Sequence, residues 1–168
     1  KYDELPNEYS HLYLSIDGQL AAVICISDPL RKDAREAINK LHECGFTNIV
    51  MMTGDNRRTA EAVAKKVGVD KVYAEVLPED KANFIRKEKE KGHTVIMVGD
   101  GVNDSPALSE ADTGIAISTG AAIAREIADI TIASEDLFEL VTLRKLSEAL
   151  MNRIYNSHRF IIGFNLSL

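Results

Sequence analysis

The sequence predicts an α/β protein, a parallel sheet with helices on both faces. Three observations carry this. Short apolar runs alternate with stretches of helical apolar spacing along most of the chain, the pattern that builds parallel sheets through helical crossovers. The helical stretches stop at glycines, Gly45, Gly68 and Gly92. The residues with chemistry to offer follow apolar runs, and open parallel sheets bind ligands beyond the carboxyl ends of their strands.

Residues 1–10 are polar and read as an irregular linker. His11 to Ile16 alternates weakly, Asp17-Gly18 makes a hairpin turn, and Gln19 to Ile26 is a second apolar strand. Asp28-Pro29-Leu30-Arg31 breaks that strand and opens a helix, in which Ala34, Ala37, Ile38 and Leu41 form an apolar stripe. Thr47 to Met52 reads as a buried strand with Thr53-Gly54-Asp55 at its end, followed by a helix over Thr59 to Val67 and a short strand within Val69 to Val76. Pro78-Glu79-Asp80-Lys81 opens a helix through Lys91, with Phe84 and Ile85 inward and a Lys/Glu-rich face in solvent. Thr94 to Val98 reads as a buried parallel strand, and Asp104 to Glu110 as the first turns of a helix. Thr113 to Ile117 and Ile130 to Ala133 are further strands, with a helix over Ala121 to Ala128 between them. Asp136 N-caps a last long helix with apolar Leu137, Leu140, Val141, Leu143 and Leu146.

With 26 acidic against 20 basic residues the net charge is −6, which argues against the basic footprint of a nucleic-acid binder. Cys25 and Cys44 lack the spacing of a zinc site or a disulfide framework, and a reducing, cytoplasmic setting is the default; Cys25 is expected to be buried. No signal peptide opens the chain, and the absence of an initiator Met suggests a piece of something longer. The tail from Phe160 to Leu168 is apolar and follows Arg153, His158 and Arg159, as at the cytoplasmic entrance to a membrane helix; a helix docked on the domain is the alternative.

The chemistry centres on the string Val98-Gly99-Asp100-Gly101-Val102-Asn103-Asp104-Ser105-Pro106-Ala107-Leu108. Gly99 and Gly101 permit a sharp turn. Asp100 ends a strand and Asp104 starts a helix; two carboxylates with little cationic compensation suit Mg²⁺. The Thr53 hydroxyl and Gly54 amide can donate to an anionic oxygen, Lys81 offers a compact charge, and Asn103 an amide. Together they suit a transferring phosphoryl group, where positioning and electrostatics dominate. Singly, Thr53 reads equally as a cap, Lys81 as a surface charge, and Asn103 as a turn residue.

The chain resembles the phosphorylation domain of P-type cation-transporting ATPases, within the haloacid dehalogenase-like superfamily. The resemblance rests on Asp28-Pro29-Leu30-Arg31, Met52-Thr53-Gly54-Asp55, Pro78-Glu79-Asp80-Lys81 and the long string above, in that order. Gly114-Ile115-Ala116-Ile117, Ala128-Asp129-Ile130, Asn152-Arg153 and Phe164-Asn165 look most like the heavy-metal-transporting class. The resemblance implies a Rossmann-like fold of the haloacid dehalogenase type. It implies that Thr53 and Gly54 bind the phosphoryl group, that Asp55 lies near the nucleotide phosphates and hinge, and that Lys81 steadies phosphate and nucleophile. It makes Asp100 a ligand of Mg²⁺ supported by Asp104, sets Asn103 on the phosphate, and puts Asp28 and Arg31 at the junction with the nucleotide-binding domain. The implied cofactors and partners are Mg²⁺, ATP and a heavy-metal cation, at the cell membrane with this domain on the cytoplasmic side. Residues 1–10 become a linker from the nucleotide-binding domain, 11–135 the C-terminal part of the phosphorylation domain, and 136–168 a stalk helix and the start of a membrane helix.

One departure matters. The family is phosphorylated on the aspartate of a DKTGT motif, which this chain lacks: Asp70-Lys71 continues with Val72-Tyr73 and Asp80-Lys81 with Ala82-Asn83. The strand bearing that motif is central in the family's sheet, so two exposed sheet edges are expected. The alternatives are a free-standing phosphatase, which needs a nucleophilic aspartate that is not here, and a non-catalytic regulatory module.

Overall fold

In the computed structural model, residues 9–26, 30, 33–100, 103–117, 126–133 and 136–167 are described. The elements are β1 (Ser10–Ile16), β2 (Gln19–Ile26), α1 (Ala34–Glu43), β3 (Val50–Met52), α2 (Arg57–Val67), β4 (Lys71–Tyr73), α3 (Pro78–Glu90), β5 (Ile96–Gly99), α4 (Ser105–Glu110), β6 (Thr113–Ile117), β7 (Ile130–Ile132) and α5 (Phe138–Ser167). Asp28, Arg31, Gly101, most of the 1–10 linker and most of the helix expected over Ala121 to Ala128 lie outside the described residues.

The fold is mixed α/β with parallel strands, but the parallel sheet comes in two pieces. β3 pairs with β4, and β5, β6 and β7 form a second ladder; β1 and β2 make a separate antiparallel hairpin. The hairpin turns at Asp17 and Gly18, both at positive φ, as a two-residue turn between twisted strands requires. Among the described residues no strand pairs with the second edge of β3 or of β5. The break therefore falls between the strand ending at Met52 and the strand ending at Gly99.

A repeated device aligns the parallel pairs. β3 and β4 pair from Val50 with Lys71, β5 and β6 from Ile96 with Thr113, and β6 and β7 from Ile115 with Ile130. One residue before each of these first pairs stands an aspartate whose carboxylate accepts the backbone N–H opposite. Asp70 takes Ile49 at 2.6 Å, Asp112 takes Val95 at 2.8 Å, and Asp129 takes Gly114 at 2.8 Å. An amide at a ladder's end would otherwise lack a protein partner.

The core lies where α3 and α4 meet β5 and β6: Ile85, Met97, Ala107, Leu108 and Ala116 are buried together, with Met52 of β3 packed against them. The inward setting of Ile85 is as expected, and Phe84 packs its ring 4.9 Å from that of Tyr73. Two burial expectations are corrected. On β5 only Met97 is buried; Ile96 and Val98 are 40% and 37% exposed, because alternate residues face away from α3 and α4. Cys25 is exposed on the hairpin, whose apolar Leu12, Leu14, Ile24 and Ile26 are uncovered as well.

The long helix α5 starts as expected, with Asp136 accepting the Phe138 N–H at 2.8 Å. Val141 is buried, and Arg144 holds the helix to α1: its Nε donates to the Cys44 carbonyl at 3.2 Å and its guanidinium lies 5.7 Å from the Phe46 ring. Beyond that contact Leu146, Leu150, Phe160 and Leu166 are exposed. No helix among the described residues is long and apolar enough to cross a membrane.

Candidate functional site

Three groups of polar residues stand beyond the carboxyl ends of β3 and β5. The first follows β3. Thr53 donates its hydroxyl to Asp55 Oδ2 at 2.8 Å and accepts the Asp55 N–H at 3.1 Å, closing a tight turn around the exposed Gly54. Backbone bonds tie this turn to the segment that leads into α3: Thr53 N–H to the Tyr73 carbonyl at 3.0 Å, Val76 N–H to the Thr53 carbonyl at 3.0 Å, and Glu75 N–H to the Asp55 carbonyl at 2.9 Å. Leu77 then caps α3 and Pro78 opens it, as proline can where no N–H is needed.

The second group joins α3 to α4. Lys81, in the first turns of α3, donates from Nζ to Asp104 Oδ1 at 2.6 Å, both side chains being largely buried at 15% and 13% exposed. Asp104 stands at the N-cap position of α4, yet its side chain makes no capping bond. The carboxylate goes to Lys81 instead. This corrects the expectation of little cationic compensation, since the packing of α3 against α4 sets an ammonium directly on one of the two carboxylates. It also removes the reading of Lys81 as a surface charge.

The third group is the turn after β5, where Asp100 Oδ1 accepts the Asn103 N–H at 3.4 Å and both residues are exposed. That contact supports a turn role for Asn103. The residues thus fall into three pairs, Thr53 with Asp55, Lys81 with Asp104, and Asp100 with Asn103. No hydrogen bond among the described residues joins Thr53 or Asp55 to Lys81 or Asp104. What relates them is the packing of Met52 on the core of β5 and the backbone link from the Thr53 turn into α3.

The donor set fits a Mg²⁺ that keeps most of its ligands as water or phosphate oxygen. Such an ion is held by one or two carboxylates, and Asp100 is exposed at the strand end with Asp104 four residues on. A closed, all-protein cage is not built: no group of three or more His, Cys, Asp or Glu among the described residues is arranged to hold a metal. Sequence reasoning missed Asp70, Asp112 and Asp129, whose signal was an aspartate immediately before or one step ahead of an apolar run. The Val95 N–H bond holds the Asp112 carboxyl below its usual range, and nearby Lys89 adds to that.

The haloacid dehalogenase-like hydrolase model matches residues 2–112, more than half of the sequence, and the chain belongs to that family. Within it, the chain is similar to copper-transporting P-type ATPases. It is 48% identical over 159 residues to copper-transporting ATPase 2 of Rhizobium meliloti (strain 1021), a match covering 95% of this chain and 19% of that protein. It is 44% identical over 154 residues to the probable copper-exporting P-type ATPase V of Mycobacterium tuberculosis, covering 92% of this chain and 20% of that protein. The chain therefore spans about a fifth of the length of these relatives. Among solved structures, a phosphoenzyme-state structure of a zinc-transporting PIB-type ATPase matches 88% of this chain and 24% of its own, with a TM-score of 0.73 at 34% identity. The catalytic domain of the CPx-ATPase CopB-B matches 79% of this chain and 52% of its own, with a TM-score of 0.64 at 29% identity.

Proposed function

We propose that the chain is the C-terminal part of the phosphorylation domain of an ATP-driven heavy-metal transporter, with copper, the metal named for its sequence relatives, as the cargo. The largely buried Lys81–Asp104 pair, set beyond a parallel strand end beside Asp100, carries this reading. In it Thr53 and Gly54 hold the phosphoryl group, and Asp55 shapes that turn and faces the nucleotide phosphates. Lys81, held rigid by Asp104, presents positive charge to the phosphoryl oxygens; a fixed charge needs no reorganisation as the group transfers. Asp100, supported by Asp104, holds Mg²⁺, which supplies charge neutralisation when bound. Asn103 contacts the phosphate, and Asp28 and Arg31 meet the nucleotide-binding domain. The phosphorylated aspartate comes from a strand outside this sequence that fills the gap between β3 and β5. Forming an aspartyl-phosphate divides ATP hydrolysis into two steps, so each can be coupled to a different conformation. Residues 136–168 form the stalk that joins a cytoplasmic domain to the membrane part of the transporter.

The test uses radiolabelled ATP with Mg²⁺. The chain stays unlabelled, whereas a longer polypeptide that adds a DKTGT segment upstream becomes labelled with an acyl-phosphate. In that polypeptide Lys81→Ala lowers labelling by about a hundredfold, the scale of losing one preorganised charge contact. A stable acyl-phosphate on the chain alone, or full labelling of the Lys81→Ala form, overturns the reading.

A further inference from the structure

The seating of α4 on the sheet depends on two glycines that touch nothing reactive. β5 and β6 are in register at Met97 with Gly114 and at Gly99 with Ala116, so these four residues face the same side. That side carries α4, whose Ala107 and Leu108 are fully buried. A Cβ at Gly99 would lie 2.5 Å from Asp104 Oδ2, 2.8 Å from its Cβ and 2.9 Å from its Cγ. A Cβ at Gly114 would lie 2.5 Å from the Leu108 carbonyl oxygen and 3.1 Å from its carbon. Neither glycine is at positive φ, so what each supplies is space and not an unusual backbone.

The two contacts fix α4 at different points. At Gly114 the obstacle is the helix backbone, which yields only if the helix lifts. At Gly99 it is the whole side chain of Asp104, the residue whose other carboxylate oxygen receives Lys81. We propose that Gly99 and Gly114 are positioning residues, a two-point seat that sets α4 close enough to the sheet for Asp104 to meet Lys81. Gly99 shapes the carboxylate's position directly, and Gly114 sets the height of the helix that carries it. The importance of this seat for phosphoryl transfer rests on the function proposed above; the seat itself does not.

The test is a double-mutant cycle in the full 168-residue chain. Gly99→Ala should lower the folding equilibrium constant by about tenfold or more, but by less than about threefold in an Asp104→Gly background, where the three obstructing atoms are gone. Should Gly99→Ala alone fail to fold, recovery of folding on adding Asp104→Gly supports the proposal and continued failure overturns it. Equal cost in both backgrounds also overturns it. A second readout is the NMR signal of the Lys81 ammonium, protected from exchange while the ion pair holds. It should be lost in Gly99→Ala and Gly114→Ala and kept in Ile85→Val, which trims the same core without obstructing α4. A signal kept in both glycine variants overturns the seat. Unchanged phosphorylation in Lys81→Ala would instead sink the functional reading and leave the seat standing.

Discussion

Asp70, Asp112 and Asp129 stand before β4, β6 and β7, and each gives its carboxylate to a backbone N–H of the neighbouring strand. Asp55, Asp100 and Asp104 stand beyond β3 and β5 at the opposite end. There the partners are a threonine hydroxyl, a long contact to a turn amide, and a lysine ammonium. Backbone amides cannot be withdrawn without undoing the ladder, so the first three carboxylates are committed to structure. Side-chain partners and exposed oxygens can be exchanged for a cation or a phosphoryl group. One residue type thus serves registration at one end of the strands and chemistry at the other, and the partner tells the two uses apart.

The contrast can be tested by substituting at either end. The largest effect is expected from Asp129→Ala, which leaves the buried Gly114 amide without its acceptor and should cost about 1–3 kcal/mol in urea denaturation. A change under about 0.5 kcal/mol would show that water replaces the carboxylate at no penalty. Next comes acid sensitivity. The Asp112 carboxyl is held below its usual range by the Val95 N–H, and that of Glu110 by its hydrogen bond from Arg86. A carboxyl so depressed adds stability above its unfolded pKa of about 4 and loses it as pH falls through the lower folded value. The stability gap between the native chain and Asp112→Asn should therefore narrow between about pH 6 and pH 3, measured by denaturation at each pH; a gap that widens on acidification would reverse the assignment. The smallest effect on stability is expected from Asp100→Asn, within about 0.5 kcal/mol, because its carboxylate is exposed and its contact to Asn103 is long at 3.4 Å. Its consequence should instead be lost Mg²⁺-dependent labelling in the longer polypeptide described above.

Much of the fold was legible because periodicity reports the side of an element that packs. The helices ending at Gly45, Gly68 and Gly92 lie where their spacing put them, and β6 spans Thr113–Ile117 as read. The strand read over Thr47 to Met52 shortens to Val50–Met52, since pairing with β4 begins only at Lys71. Cys25, Leu12 and Ile24 show the limit of the method. Their pattern is that of a strand with something to cover it, and among the described elements no helix does so. At the site, Thr53, Lys81, Asp100 and Asp104 were each legible from motif and position. The pairing of Lys81 with Asp104 was not, because the two lie 23 residues apart and meet only through the packing of α3 on α4.

Composition, spacing and order along the chain were enough to define an acidic α/β protein with its reactive side chains after the strands, since those properties are local. Which carboxylate receives the lysine, which are locked to backbone amides, and where the sheet is left open were settled only when distant segments packed. Hydrogen bonds and ion pairs are made between surfaces, and a one-dimensional pattern does not say which surfaces meet.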